Sequence, residues 1–233
     1  MLKQGSKPAL RVVKLPFPGK RMVQDTRAQS VTAAADILQA YVWQKYNSQQ
    51  TESVAEGEKP RVLELGCGCG IISIMLALHF QEWSITGIDI QEDLILLARQ
   101  NAMDCNLCLR FLCQDLRTYT SVDKYDLIVS NPPWQKIGTG RESPYLSRNL
   151  SRIEIAATAE DIVLCIGRNL TDRGSAYLIY PYSRIEDIRN QVLRTSLDIN
   201  PVSGLNEFSL DSRPDLRLTT RYQIVHIHKK LRN

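Results

Sequence analysis

Residues 126–134, Asp-Leu-Ile-Val-Ser-Asn-Pro-Pro-Trp, carry the groups best suited to chemistry in this chain. The apolar run predicts a buried strand, and Pro132 and Pro133 end it because proline lacks an amide N–H and has a fixed φ. The turn therefore presents carbonyl oxygens, to which Asn131 adds a side-chain acceptor and Trp134 a flat apolar face. Such a set can hold a planar –NH2 group, with two oxygens accepting its protons and the ring covering its plane. The alternative is an ordinary strand end with a surface tryptophan.

A glycine-rich turn lies upstream, at residues 64–70, Glu-Leu-Gly-Cys-Gly-Cys-Gly. Its alternating glycines, Gly66, Gly68 and Gly70, predict a tight turn in which a ligand approaches the backbone closely. A dinucleotide fingerprint requires glycine where this chain has Ile71, so the spacing disfavours a dehydrogenase. Glu64 would repel a pyrophosphate, but it suits a ligand that carries an ammonium group.

Polar side chains also follow the next predicted strands. Asp89, with Ile90 beside it, ends the second strand, where a carboxylate can accept hydrogen bonds from both hydroxyls of a ribose. Asp115, followed by Leu116, comes after the third strand, where it could meet an adenine amino group. Because ligands of such sheets bind beyond the carboxyl ends of the strands, these groups and Asn131 should converge on one crevice. The alternative for each aspartate is a helix cap.

The elements that position these groups alternate along the chain. Strand–helix alternation predicts a parallel, doubly wound sheet with an antiparallel strand near the end. A polar linker is expected at 47–60, and 136–151 and 204–215 are the longest stretches predicted to be unstructured. The predicted strands are 61–65, 84–88, 109–113, 126–130, 175–180 and 221–228, and the predicted helices are 28–46, 71–80, 91–104, 152–170 and 183–196.

Composition indicates an ordinary globular protein, with 43% apolar and 23% charged residues in a chain of 233. No apolar run approaches the roughly 20 residues needed to span a bilayer, and the first 20 residues do not resemble a secretory signal. Six cysteines without an export signal are expected to be reduced. Cys105, Cys108 and Cys113 lack a second Cys/His pair at zinc-site spacing, so no metal is expected. We therefore expect a cytoplasmic protein without membrane contact.

The charge is uneven along the chain. Residues 1–27 carry a net charge of +6 and residues 212–233 a net charge of +5, against −7 for the segment between them. Two basic ends around an acidic middle indicate a polyanionic partner, although solvated terminal charges that only favour solubility give the same pattern.

From about residue 61 to 182 the chain resembles the class I S-adenosylmethionine (SAM) methyltransferases, and more narrowly the N-P-P-[YFW] amino-methyltransferases. Besides the two motifs above, residues 98–102, Ala-Arg-Gln-Asn-Ala, are similar to the family's helix after the ribose-binding acid. The chain resembles the bacterial tRNA(Val) adenine-N6 methyltransferases in its size, in its basic N-terminal segment and in the helix that follows this segment. The chain departs from them at residues 30–32, Ser-Val-Thr, where an acidic residue is usual, and at Trp134, where tyrosine is usual.

This resemblance implies a Rossmann-like, mostly parallel seven-stranded sheet, with a basic segment and helix at 1–60 and a SAM-binding domain at 61–233. It implies methylation of an exocyclic amino group, with adenine N6 in tRNA as the expected substrate. A monomer is favoured over an oligomer. Glutamine methylation of a release factor, guanine-N2 methylation of rRNA and a non-catalytic RNA-binding module are the alternatives. The implied catalytic residues are Asn131, Pro132, Pro133 and Trp134, and the implied SAM-binding residues are Glu64, Gly66, Gly68, Gly70, Asp89, Ile90, Asp115, Leu116 and Asn131.

Overall fold

The computed structural model describes residues 9–28, 33–49, 59–136, 138, 143–152, 154, 156–202 and 221–230. The strands are β1 (Leu10–Lys14), β2 (Arg21–Asp25), β3 (Arg61–Leu65), β4 (Ser84–Asp89), β5 (Arg110–Cys113), β6 (Tyr125–Ser130), β7 (Leu170–Pro181), β8 (Leu197–Pro201) and β9 (Tyr222–Lys229). The helices are α1 (Ala33–Gln49), α2 (Ile71–His79), α3 (Glu92–Asp104), α4 (Leu146–Arg152), α5 (Ala159–Asn169) and α6 (Ile185–Val192), with a 3₁₀ turn at Tyr182–Arg184.

Seven strands form the main sheet, in the order β5-β4-β3-β6-β7-β9-β8. The strands from β5 to β7 pair in parallel, and β9 is antiparallel to both of its neighbours. The fold predicted from the sequence, a doubly wound and mostly parallel seven-stranded sheet with an antiparallel C-terminal strand, is therefore confirmed. The two remaining strands, β1 and β2, form a separate antiparallel hairpin.

Both faces of the sheet are covered, and β6 shows this most directly. Ile128 packs on one face with Ile162 and Ile166 of α5, whereas Leu127 packs on the other with Leu38 of α1. A strand buried on both faces has a continuous apolar sequence rather than an alternating one, as the run before Asn131 does. Among the described helices, none has the length and apolar character needed to cross a bilayer.

The structure corrects the sequence prediction around α4 and α5. The helix predicted at 152–170 begins only at Ala159, because Thr158 caps it: Asp161 N donates to Thr158 Oγ1 at 3.3 Å, and Thr158 N donates to Asp161 Oδ2 at 2.8 Å. The stretch 136–151, predicted to be unstructured, contains most of α4. The hairpin and β8 were not predicted. The stretch 204–215 and residues 50–58 of the predicted linker lie outside the described residues.

Candidate functional site

A pocket opens where β3, β4 and β6 end at the same edge of the sheet. The hairpin, α1 and α4 close its other sides, which sequence reasoning did not predict. The structure brings nine of the predicted site residues together there, namely Glu64, Gly66, Gly68, Asp89, Ile90, Asp115, Leu116, Asn131 and Pro133. Gly70, Pro132 and Trp134 are not among the residues that line it.

Asp89 is held rigidly at the end of β4. Its Oδ2 accepts from Gly68 N at 2.8 Å, and its Oδ1 accepts from Gln91 N at 2.9 Å. Burial raises the pKa of this carboxyl, and the backbone N–H donors counteract part of that rise. Since each carboxylate oxygen has two acceptor lone pairs, each can accept a further hydrogen bond. The geometry therefore suits a pair of adjacent hydroxyls, as the sequence predicts.

Glu64 lies deeper in the same pocket. Its side chain is buried, and its Oε2 accepts hydrogen bonds from Ser73 N at 2.9 Å and from Ser73 Oγ. Burial raises the pKa of Glu64 to about 8, although the hydrogen bonds from Ser73 N and Ser73 Oγ counteract part of that rise. A positive group placed beside this carboxyl would favour its ionised form. Glu64 thus fits the predicted ammonium partner.

Asp115 has a partner within the chain. Its two carboxylate oxygens accept from Arg117 Nε at 3.0 and 2.9 Å, and Oδ1 also accepts from Arg117 N at 2.9 Å. Hydrogen bonding to the Arg117 side chain is the largest influence on this carboxyl and lowers the pKa of Asp115. An adenine amino group at this position would therefore share the carboxylate with Arg117.

The end of β6 is tied to the end of β3. Ser130 Oγ donates to Leu65 O at 2.8 Å, which places Asn131 next to the glycine-rich turn. Pro132 is buried, and Asn131, Pro133 and Trp134 are half-buried. Trp134 packs against the core cluster that contains α5 and α6. Its proposed stacking on a substrate stays a prediction.

The main chain at Trp134 is held by a residue that sequence reasoning missed. Arg184, at the end of the 3₁₀ turn, donates from Nη1 to Trp134 O and from Nε to Asp187. Its Nη2 lies 2.7 Å from Glu154 Oε1. Glu154 N in turn donates to Gln135 O at 2.9 Å. The segment after Pro133 is thereby fixed on both sides.

Asn101 joins the hairpin to the glycine-rich turn. The side chain is fully buried; its Oδ1 accepts from Val23 N at 2.7 Å, and its Nδ2 donates to Val23 O at 2.9 Å and to Cys69 O at 3.0 Å. These contacts bring Gln24, Asp25 and Ala28 to the pocket wall. Asn101, within residues 98–102 of α3, thus also anchors the hairpin.

Helix α4 covers the opposite side of the pocket. Arg148 donates from Nη2 to Thr26 O, and Ser147 Oγ donates to Gln91 Oε1 at 2.5 Å. Gln91 Nε2 donates to Ser151 Oγ at 3.0 Å, and Ser151 itself lines the pocket. The only sequence signal for this cover was the length of the loop that contains it.

Gly70 has a packing role in the structure. Its φ is +87°, and a Cβ at this position would lie 2.9 Å from Phe111 Cζ.

The six cysteines are free thiols. Within the described ranges, no group of three His, Cys, Asp or Glu side chains is placed to hold a metal ion.

The sequence of this region matches a known family model. Residues 50–145 match the model described as methyltransferase small domain. The matched range contains the glycine-rich turn, Asp89, Asp115 and residues 131–134. This similarity agrees with the resemblance to SAM methyltransferases stated from the sequence.

Curated relatives match part of the chain at modest identity. The release factor glutamine methyltransferase of Streptococcus pneumoniae is 37% identical over 118 residues, which are 50% of this chain and 41% of the relative. The tRNA1(Val) (adenine(37)-N6)-methyltransferase of Glaesserella parasuis is 40% identical over 85 residues, 35% of this chain and 36% of the relative. The chain therefore spans less than half the length of either relative.

A solved structure extends the fold comparison beyond residues 50–145. The 16S rRNA N2 G1207 methyltransferase of T. thermophilus, in complex with AdoMet and guanosine, superimposes with a TM-score of 0.59. The match covers 95% of this chain and 51% of that one at 16% identity. It shows a shared fold for nearly the whole chain.

Proposed function

We propose that this chain is a SAM-dependent N-methyltransferase whose substrate is an exocyclic amino group, with adenine N6 in tRNA as the preferred target. One observation carries the proposal: Asn131 and Pro133 share a pocket with Glu64 and Asp89. The acceptors for an amino group thus adjoin the two carboxylates that fit the ammonium and ribose groups of SAM.

When bound, SAM supplies a methyl group activated by a positively charged sulfur. The chain's own residues orient the nucleophile. Asn131 Oδ1 and the Pro132 carbonyl accept the two amino protons, which turns the nitrogen lone pair out of conjugation with the ring. Transfer is then helped mainly by orientation. No strong general base is required, because the nitrogen becomes acidic only as the methyl arrives and then releases one proton to water. The three histidines lie elsewhere, His79 on α2 and His226 and His228 on β9.

Basic charge on the hairpin favours a nucleic acid over a protein substrate. Arg11 is exposed and is the cross-strand partner of Gln24, which lines the pocket wall. A cation at this position can contact a phosphate of an RNA whose target base enters the pocket. The relative that acts on adenine 37 of a tRNA supports this choice. The enzyme is proposed to act as a cytoplasmic monomer.

Methyl transfer from labelled SAM tests the proposal directly. Unmodified tRNA, unmodified rRNA and a release factor are offered in parallel, and the products are separated by mass spectrometry. We expect label in N6-methyladenosine of tRNA. Label confined to glutamine of the release factor, or to N2-methylguanosine, would replace the proposed substrate by that alternative. RNA binding without any transfer would indicate a non-catalytic binding module.

The variant Asn131→Ala separates cofactor binding from chemistry. We expect the SAM dissociation constant to stay within about threefold, while the transfer rate falls by about 10² or more, as when an orienting transition-state contact is lost. Calorimetry gives the first quantity and single-turnover transfer the second. Turnover of Asn131→Ala at the wild-type rate would exclude the amide-acceptor mechanism.

A further inference from the structure

The hairpin places a buried amide in the pocket wall whose NH2 group lacks a well-formed hydrogen bond. Gln24 is 3% exposed; among the described residues its Nε2 has no partner in hydrogen-bond geometry, and the Cys69 thiol is its close but weak polar neighbour. Buried side-chain polar atoms are nearly always paired, so an unpaired donor calls for an explanation. Gln24 lines the same pocket as Glu64, Gly66 and Cys69.

The charged side chains that line the pocket are all acidic. Glu64 and Asp89 are buried acids, and no lysine, arginine or histidine is found among its described lining residues. An amino-acid ligand brings an ammonium group, which the acids suit, and also a carboxylate, which they repel. Burying that carboxylate without N–H donors would be costly. The pocket therefore needs a neutral donor for it.

Other amide and thiol groups of the pocket are less suitable. Both ends of the Gln91 amide are occupied by Ser147 and Ser151 of α4. Gln114 is exposed and lies beside Asp115, at the end of the pocket predicted to take adenine. Burial raises the pKa of Cys69 to about 12, so its thiol stays protonated and is a weak partner for Gln24 or for a ligand.

We propose that Gln24 Nε2 donates a hydrogen bond to the carboxylate at the amino-acid end of the cofactor. The hairpin thereby becomes part of cofactor recognition. This inference rests on the proposed function, in which that cofactor is SAM. Asn101 holds Val23, the neighbour of Gln24, by two hydrogen bonds and Cys69 O by a third. The amide is therefore positioned before the ligand arrives, which reduces the entropic cost of binding.

The test compares two ligands that differ only in this carboxylate. Wild type and Gln24→Leu are titrated calorimetrically with SAM and with decarboxylated SAM, which retains the ammonium, sulfonium, ribose and adenine groups. We expect Gln24→Leu to weaken SAM by about tenfold to a hundredfold, the range for a hydrogen bond to a charged group. Decarboxylated SAM should bind both proteins equally, to within about twofold.

Two further variants sharpen the comparison. Gln24→Glu places a negative charge at the same position and should weaken SAM more than Gln24→Leu does. Gln39→Leu is the matched control, because Gln39 is also a buried amide with an unpaired atom, its Oε1, but lies outside the pocket lining. It should leave both affinities unchanged. Unligated Gln24→Leu should melt no lower than wild type, since it removes a buried polar group that lacks a well-formed hydrogen bond.

Equal weakening of both ligands by Gln24→Leu would show that the residue only shapes the pocket, and unchanged affinities would show that it does not contact the cofactor. Either result overturns this inference while leaving the proposed function in place. A wild-type protein that binds neither ligand would overturn both.

Discussion

Glu64 is the residue whose protonation responds most directly to the proposed cofactor. Its pKa is raised by burial to about 8, above the ordinary value of 4.5. A carboxyl whose pKa is higher in the folded than in the unfolded protein stabilises the fold most at low pH. The contribution of Glu64 is therefore complete below about pH 4.5 and is lost as the pH rises through about 8.

Cofactor binding should release a proton from Glu64. At pH 7 the unligated protein holds the proton, and an ammonium group beside the carboxyl favours its ionised form. Calorimetric titration with SAM, repeated in two buffers of different ionisation enthalpy, should show release of up to about one proton per site. SAM affinity should rise from pH 6 toward pH 8.

Glu64→Gln is the control for that measurement. It keeps a hydrogen-bond acceptor for Ser73 and has no proton to release, so the buffer dependence should disappear. Persistent proton release from Glu64→Gln would assign the proton to another group, and an unchanged pH dependence of affinity would separate Glu64 from the ammonium group.

Sequence alone placed the acids of the site, because their positions follow from one rule. Glu64 lies at the end of β3, Asp89 ends β4 and Asn131 follows β6. Parallel strands of one sheet end at the same edge. Gln24 could not be found in this way. Its place in the pocket depends on contacts between Val23 and Asn101, which are 78 residues apart. No local pattern encodes such a contact.

At the scale of elements, the 3₁₀ turn controls the main chain at Trp134. Arg184→Ala should lower the rate of methyl transfer about tenfold or more while leaving the SAM dissociation constant unchanged, since Arg184 contacts Trp134 O and does not line the pocket. It should also cost about 3 kcal/mol of unfolding free energy, because Glu154 loses its buried partner. Single-turnover assays at a temperature where the variant is folded, with thermal melts, measure both.

Arg189→Ala provides a comparison from the neighbouring helix α6. Arg189 Nε lies 3.5 Å from Glu186 Oε1; the glutamate side chain is exposed and the arginine side chain is partly exposed. An exposed pair of this kind contributes less than about 1 kcal/mol, so neither the rate nor the melting temperature should change much. A transfer rate for Arg184→Ala equal to that of Arg189→Ala would mean that the main chain at Trp134 needs no such support.

Elements with strong periodicity were predicted well, and those held by tertiary contacts were not. The strands β3, β4 and β6 are apolar runs that end at polar site residues, so their bounds were predicted to within a residue or two. Helix α4 has the sequence Leu-Ser-Arg-Asn-Leu-Ser-Arg, in which leucine and arginine favour a helix but serine and asparagine do not. A helix of this length is marginal on its own, so its contacts with Thr26 and Gln91 stabilise it.

For the whole molecule, the hairpin cation Arg11, the cross-strand partner of Gln24, should contribute to RNA affinity. The variant Arg11→Ala should weaken tRNA binding and reduce the slope of log affinity against log salt by about 1, since each phosphate contact releases counterions. SAM affinity should not change. Filter binding or fluorescence anisotropy at several salt concentrations gives the slope.

The charge-matched control is Arg173→Ala. Arg173 is exposed and precedes the buried part of β7, at the edge of the sheet opposite the pocket. This control removes the same charge but should leave the slope unchanged. An equal loss for both variants would indicate attraction by overall charge, without RNA contact at the hairpin.

The position of β9 has a consequence for how the protein is made. It is the last described strand along the chain, yet it lies between β7 and β8. While the ribosome adds the residues from 202 to 229, on the order of seconds of synthesis, β8 has no place in the sheet. During that interval β7 presents an unpaired edge that includes Leu178 and Tyr180, both fully buried once the sheet is complete. An apolar edge of this kind pairs readily with other chains, so the nascent protein is most prone to aggregate just before its last strand emerges.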